Sequence, residues 1–380
     1  MLDKIIQAPE FVFWFLVILT VVVFVHELGH YLIARYNGVK VEVFSIGFGR
    51  EIVGFNDRHG TRWKIGILPF GGYVKMYGDE DEASATPADD SKMSEEDKKF
   101  SFHHKRVWQR FAIVAAGPAA NLLFAILVYA VLFMTAGQPT TPPIIGKIQP
   151  DSAAEAAGLR PGDRIVKING AGIERFEEIQ QVVRVGLGAT LSLTVKRDGV
   201  EVAIPASPRV AEFQDKLGNT HKIAILGITA SANEVSMVRY GPGAAIVQAF
   251  RQTWGVVDST FVALGQIISG VRSSDELGGP LRIAQYSREA AQGGMIHFIT
   301  FIAVLSINLG MINLFPIPML DGGHLMFYTL EGLMGRPLTP RAQEYGFRFG
   351  LFLVLSLMVF ATWNDLVHLK VWEFFKGFIS

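Results

Sequence analysis

The chain has 380 residues, half of them hydrophobic and only 18 % charged, with a mean hydropathy of +0.31. Those values exclude an intrinsically disordered chain, which needs low hydrophobicity and high charge, and argue against a wholly soluble protein. Thirty-five basic residues balance 35 acidic ones, so no global field favours nucleic acid, and with no cysteine any metal must be held by His, Asp or Glu.

Four stretches hold the roughly 20 apolar residues that a bilayer-spanning helix requires. In chain order they are 11–34, 107–134, 296–315 and 347–361, the last continuing towards Trp363 and weakest by length. The first is expected to remain on the protein, because its flank is scarcely basic, its apolar run is long and no small-residue cleavage site follows. Arg35 and Lys40, then Lys105, Arg106 and Arg110, then Arg336, Arg341 and Arg348 flank these spans. If every span crosses, all three basic clusters fall on one face, which the positive-inside rule makes the cytoplasmic one. Both termini and 129–296 then face the opposite compartment.

Inside the first span lies Val25-His26-Glu27-Leu28-Gly29-His30. Residues four apart share a helix face, so His26 and His30 can reach one metal ion, and Glu27 beside them can take a proton from an attacking water. Three ionisable groups at membrane depth are costly and so mark function. Two Gly-rich, strand-like runs follow, 41–49 and 63–76, expected as a β-hairpin; an acidic run over 78–99 reads as a solvated linker. Gly117-Pro118 in the second span is expected to bend that helix and let it pack closely.

Between the second and third spans the composition becomes that of a soluble β-rich domain. After a Thr140-Thr141-Pro142-Pro143 linker, strands are expected over 144–148 and 164–168, the latter closed by the hairpin signal Asn169-Gly170. Helices over 152–158 and 176–185, and strands over 189–197 and 200–204 about Asp198-Gly199, complete the pattern, with further β-like sequence over 218–228. This order, with Gly158-Leu159-Arg160-Pro161-Gly162-Asp163, resembles a PDZ domain, which takes an extended peptide as an added strand. The apolar stretch 244–271 carries Arg251, Gln252, Asp258 and Gln266 and is expected to lie on a membrane surface as an amphipathic helix.

A catalytic zinc keeps three protein ligands and one open position, and nothing suitable follows His30 closely. The missing donor is sought where the third span ends, in the segment from Asn308 to His324. Pro316 and Pro318 forbid a regular helix there, and irregular backbone at that depth must be enclosed by protein or border a water-filled cavity. Asp321, followed by Gly322-Gly323, is the best candidate, with His324 as its rival. Asn308 and Asn313 are candidates to orient substrate or an oxyanion.

His26-Glu27-xx-His30 in a first span, the later Asn308-xxxx-Asn313-xx-Pro316-x-Pro318-x-Leu320-Asp321-Gly322 segment and the PDZ-like insert together resemble the site-2 protease family, and its bacterial branch in the sigma-E stress response most of all. Gly117-Pro118-Ala119-Ala120-Asn121 and Leu277-Gly278-Gly279-Pro280 look like further family segments. The resemblance implies one catalytic Zn²⁺ held by His26, His30 and Asp321, with Glu27 as general base, and cleavage of transmembrane segments within the bilayer. It implies that the strand-like region re-enters the membrane beside the site, where Gly47, Gly66 and Gly71 would meet substrate together with Asn308 and Asn313. The implied partners are the lipid bilayer and single-span proteins already trimmed outside the membrane, such as an anti-sigma factor, or remnant signal peptides; nucleic acid is not among them. The implied location is the bacterial inner membrane with the PDZ-like domain in the periplasm, where it would gate substrates by size or hold a chain end. One departure stands out: the best-known relative carries two tandem PDZ domains, and only one is legible here.

The expected fold class is a polytopic α-helical membrane protein of four transmembrane helices, with a membrane-associated β-region and a soluble PDZ-like α+β domain. The expected divisions are 1–37, 38–106, 107–139, 140–230 (the PDZ-like domain), 231–294 (the interfacial segment), 295–346 and 347–380. A PDZ-bearing membrane scaffold or chaperone with a non-catalytic metal site is the competing class. Glu27 speaks against it, because a structural site has no use for an unligated carboxylate. A transporter is opposed by the lack of a second, inverted copy of the His-Glu span.

Overall fold

The computed structural model describes residues 8–79, 93–214, 220–231, 236–274 and 277–368. Most of the acidic linker (80–92), part of the β-like run after 214 and the tail after His368 lie outside the described residues. The chain forms two compact units, one built from residues up to Val128 and from Gly278 to Val367, the other from Tyr129 to Leu277.

The first unit begins with α1 (Ala8–Tyr36), a 29-residue apolar helix with Arg35 in its last turn, where a cation meets the negative end of the helix dipole. Two long antiparallel strands follow, β1 (Val41–Asn56) and β2 (Arg62–Met76). Val43, Phe44, Ser45 and Ile46 each have partners in both halves of β2, so the expected hairpin is folded back on itself into four short segments. The bends fall at glycines: Gly47 and Gly71 have φ of +83° and +95°, a region costly for residues with a Cβ. A Cβ on Gly66 would lie 2.5 Å from the Phe48 carbonyl oxygen, so that crossing requires bare backbone.

At the tip of the β-region, Asp57 accepts hydrogen bonds from Trp63 Nε1 (3.0 Å), Tyr31 Oη (2.9 Å) and the amides of His59 (2.8 Å) and Thr61 (2.9 Å). Burial pulls this carboxyl upward, but those hydrogen bonds outweigh it and bring its pKa down to about 2. Phe44 stacks on Trp63 with centroids 4.1 Å apart, joining a core that includes Tyr31, Val74, Phe102, Ile113 and Tyr328.

A short helix α2 (Glu95–Lys98), capped by Ser94, leads into α3 (Val107–Thr135), which contains Pro118 and runs on into the second unit. The later part of the first unit comprises α7 (Pro280–Gln292), α8 (Met295–Leu314), α9 (Asp321–Met334) and α10 (Pro340–His368). Asp365 on α10 accepts from the amides of Gly279, Leu281 and Arg282 at the start of α7 and from Arg282 Nε at 3.1 Å. Both side chains are buried, and together they tie the Gly-Gly-Pro turn to α10.

Among the described residues, α1, α3, α8 and α10 are long and apolar enough to cross a membrane. The fourth exceeds expectation, its candidate span covering Arg341–Val367. Pro340 supplies a first helical residue with no N–H to waste, and the polar turn through Arg341, Glu344 and Arg348 is helical although not apolar.

The second unit is an α+β assembly whose central sheet has the order β6-β5-β7-β8, with β5 (Arg164–Ile168), β6 (Ala171–Gly172), β7 (Leu191–Arg197) and β8 (Val200–Ala206). Alternate residues of β7, Leu191, Leu193 and Val195, are buried, as the two-residue period of a strand demands. They pack on Phe176, Ile179 and Val183 of α5 (Phe176–Val185). The helix α4 (Ala153–Ala156) is capped by Ser152, and β4 (Ile145–Ile148) pairs with β11 (Ile228–Ala230). Two further ribbons join β9 (Arg209–Gln214) to β10 (Thr220–Ile225), and β3 (Gln138–Thr140) to β12 (Ser236–Val238). The expected linker at Thr140 is therefore tethered at its start, by a strand 96 residues later.

The unit ends in α6 (Pro242–Ile268), whose polarity is reversed relative to a soluble helix. Its polar side meets the domain. Gln181 donates to the Gly255 carbonyl (2.9 Å) and Ser259 Oγ (2.8 Å), Arg251 pairs with Glu174 (3.3 Å), and Gln266 bonds the Val185 carbonyl. Ile246, Phe250, Trp254, Phe261 and Ile268 form an exposed stripe on its other side.

Candidate metal centre

The site lies wholly in the first unit and is assembled from α1, α3, α8 and the start of α9. Near the C-terminal end of α1, His26 and His30 lie one helical turn apart with their Nε2 atoms 3.3 Å apart. The chain reaches their third neighbour through a broken segment. Phe315 is extended (φ −63°, ψ 141°), as a residue before proline must be, and Met319 has φ 89°, so the helix cannot run on. It restarts at Asp321. Cβ atoms at Gly322 and Gly323 would fall 2.2 Å from the Phe315 carbonyl oxygen and 2.5 Å from that of Ile317. The two glycines thus let the turn fold tightly onto α9 and deliver Asp321 to the histidines.

Asp321 Oδ2 lies 3.0 Å from His26 Nε2, and Oδ1 lies 3.5 Å from His30 Nε2. Among the described residues these three alone have donor atoms converging as a metal would require, all within 4.8 Å of one another. His324, the rival, sits a turn further along α9 with its ring against Phe347 (5.2 Å) and Tyr328 (6.3 Å), and burial holds its pKa below the usual histidine value.

A face of α3 closes the site from the other side. Ile113, Gly117 and Asn121, spaced by four, lie along one stripe against α1. The Ile113 carbonyl accepts from His30 Nδ1 at 2.9 Å, and Asn121 Nδ2 lies 3.2 Å from His26 Nδ1. Between them, a Cβ on Gly117 would lie 2.3 Å from His30 Nε2 and 2.9 Å from His26 Cε1. Gly117 therefore keeps clear the nitrogens that face Asp321, a stronger requirement than the helix bend expected of it. Gly29 serves the same crossing, since a Cβ there would strike the Ala116 carbonyl at 2.3 Å.

Glu27, buried beside the histidines, lines a cavity of about 1040 Å³ together with His26, His30, Asp321 and Asn313. Asn313 Nδ2 is 3.3 Å from His26 Nε2. Asn308 is not among the cavity-lining residues, because five residues advance a helix by about 140° and turn it off the face that carries Asn313. Of the three glycines expected to meet substrate, Gly71 lines the cavity, whereas Gly47 and Gly66 are used for backbone crossings within the β-region. Residues 71–76 all line the cavity, six in succession. Successive side chains of a strand point to opposite faces, so an unbroken run means that the strand presents its backbone edge.

The donor set fits a divalent ion of the zinc type: two imidazoles and one carboxylate, a glycine where any side chain would intrude, and a carboxylate alongside. The comparisons with known proteins agree with that chemistry. The model for Peptidase family M50 matches residues 14–357. A protein of Agrobacterium fabrum named as a zinc metalloprotease is 43 % identical over 358 residues, covering 93 % of this chain and 95 % of its own. One of Rhizobium meliloti, named likewise, is 44 % identical over the same length with the same coverage. Metalloprotease MmpA of Caulobacter vibrioides is 37 % identical over 388 residues, covering 96 % and 97 %. A match running through both histidines, the glutamate and the distant aspartate leaves one conclusion: the chain belongs to peptidase family M50, the site-2 protease family of metalloproteases.

Proposed function

We propose that this protein is a zinc endopeptidase that cuts single-span substrates inside the bacterial inner membrane, with His26, His30 and Asp321 holding the ion and Glu27 acting as general base. The observation that carries the reading is the shared wall of one cavity: the three donors, the unligated Glu27 and the backbone edge of residues 71–76 all border it. When bound, zinc supplies a Lewis acid that polarises the scissile carbonyl and lowers the pKa of a water from 15.7 to about 7. Glu27 takes the proton of the attacking water and returns it to the leaving amide nitrogen. Asn313 donates to the substrate carbonyl from the same wall. An unwound substrate adds to the backbone edge at 71–76, replacing the helical hydrogen bonds it has given up.

The PDZ-like reading of the second unit is supported by a groove of about 210 Å³ between α5 and β10, lined by Phe176, Ile179, Val183, Ile223 and Ile225. An extended apolar peptide or new chain end fits it, which suits substrates already trimmed outside the membrane, anti-sigma factors among them. The exposed stripe of α6 rests on the membrane surface, its polar side having been used against the domain.

The test incubates purified protein in detergent, with and without chelator, against a panel of single-span peptides, and maps the products by mass spectrometry. Cuts within the apolar segment that vanish with chelator and return with zinc are expected. Cuts confined to flanking soluble sequence, or indifferent to chelator, would overturn the reading.

A further inference from the structure

Arg110 lies in the first turn of α3, within the second candidate span, where a guanidinium needs partners. It finds them on another helix rather than in water. Its Nη2 donates to Glu331 Oε1 on α9 at 2.6 Å, and its Nε donates to the Lys105 carbonyl at 3.2 Å. The guanidinium carbon lies 4.9 Å from the centre of the Tyr328 ring, which is buried one turn before Glu331. The side chains of Arg110 and Glu331 are only 13 % and 11 % exposed, so little solvent screens the pair.

These contacts fall where the donor set is divided between two helices. On α3, Arg110 continues the stripe of Ile113, Gly117 and Asn121, which meets the two histidines of α1. On α9, Tyr328 follows Asp321 by seven residues, which turn a helix by about 700° and so return to the same face. Tyr328 lines the same cavity as Asp321 and packs in one core with Ile113 of α3 and Tyr31 of α1. The start of α9 has no side-chain cap, and it follows the broken segment that contains Pro316 and Pro318. Asp321 is therefore held at two points, by its Gly-Gly turn and by the Glu331 pair about 15 Å along the helix.

We propose that Arg110 is the positioning residue that holds Asp321 against the two histidines. It fixes the rotation and height of α9 through Glu331 and Tyr328, so one face of α3 sets both halves of the donor set without supplying a donor. This inference rests on the zinc reading above. It adds the contact that keeps a ligand on one helix in register with two ligands on another. A guanidinium suits the task because its planar fork meets a carboxylate, a carbonyl and a ring face at once, whereas an ammonium group acts as a point charge.

The test measures zinc affinity of the full-length protein in detergent by competition with a chelator, in the parent and in an Asp321→Asn background. In the parent, Arg110→Gln is expected to weaken zinc binding about 10-fold, the lower end of what a ligand's outer partners contribute. In the Asp321→Asn background, where the histidines alone bind, the same change is expected to leave the residual affinity unaltered, because Arg110 acts through Asp321. Parent-like affinity in Arg110→Gln would overturn the proposal, as would an equal loss in both backgrounds, which a general loosening of the fold would cause. Should Arg110→Gln fail to fold, Glu331→Gln, which opens the same pair from α9, is read by the same two criteria. Asp321→Asn is also the control for the underlying reading. Parent-like zinc affinity there means that the ligand assignment has failed, whereas a loss there beside a parent-like Arg110→Gln means that only the role of Arg110 has failed.

Discussion

In the unit from Tyr129 to Leu277, the buried carboxylate of Asp163 is fully met: Arg197 reaches it at 2.8 and 2.7 Å, and the Arg160 amide at 2.8 Å. In the other unit, Asp321 Oδ2 lies 3.0 Å from His26 Nε2 and Oδ1 3.5 Å from His30 Nε2, with no lysine or arginine among the three. Both sets are buried, and burial of polar groups is costly in either place. The difference lies in closure. A set whose donors and acceptors cancel is architecture, whereas two imidazoles and a carboxylate that converge without a cationic side chain among them fit a bound cation. The contrast predicts that altering the open set removes function without collapsing the fold, and altering the closed set does the reverse.

The largest effect is expected from Asp321→Asn, which should abolish both proteolysis and stoichiometric zinc while leaving the helix content of the purified protein unchanged. Metal analysis and circular dichroism check this; full zinc occupancy with the variant would mean that the open set is not the ligand set. Glu27→Gln should lower the rate of peptide cleavage about 10²- to 10⁴-fold, the usual contribution of a general base, yet keep the zinc. Equal loss of metal and activity would instead make Glu27 a ligand.

Gly117→Ala sharpens the comparison because its two effects have opposite signs. Alanine favours a helix by about 1 kcal/mol over glycine, so thermal stability should hold or rise. The added Cβ, placed 2.3 Å from His30 Nε2, should cut zinc affinity tenfold or more. A variant with unaltered affinity would show that the nitrogens have more room than the α1–α3 crossing implies.

In the closed set, Asp163→Asn should destabilise the second unit, by less than loss of a fully buried pair would because Arg197 is partly exposed. Its Tm should fall with zinc content and rate per folded molecule unchanged. The smallest effect is a pH dependence. Hydrogen bonding from Arg197, opposed by burial and aided by the Arg160 amide, holds the Asp163 carboxyl below the usual carboxylate range. This group's contribution is therefore complete above the unfolded-state value near 3.9 and declines as pH falls through the lower folded one. Limited proteolysis of the second unit should be flat from about pH 5 to 8 and accelerate below about 4. An Asp163→Asn protein should lose that acid limb.

How far the sequence could lead depended on the range of each contact. His26, Glu27 and His30 announce themselves because a helix places neighbours four apart on one face. The α5 boundaries 176–185 were legible from local pattern. Asp321 was legible for a different reason, the two prolines that forbid a helix where an apolar span should end. Gly117 and Asn121 were not assigned their roles, although their spacing of four was visible, because what they touch lies 87 and 95 residues away on α1. The fold-back of β1 and β2 was hidden likewise: strand character and glycines are local signals, but double pairing of Val43 to Ile46 is not. Asn308 and Asn313 looked equivalent as letters, and only the helical screw separates them.

The break between α8 and α9 also bears on how such an enzyme is made safely. Its two histidine donors lie close together on α1, but Asp321 follows His30 by 291 residues and is synthesised long after them. Until then a nascent chain carries an incomplete donor set in its first span, and the protein is translated as its own inert precursor.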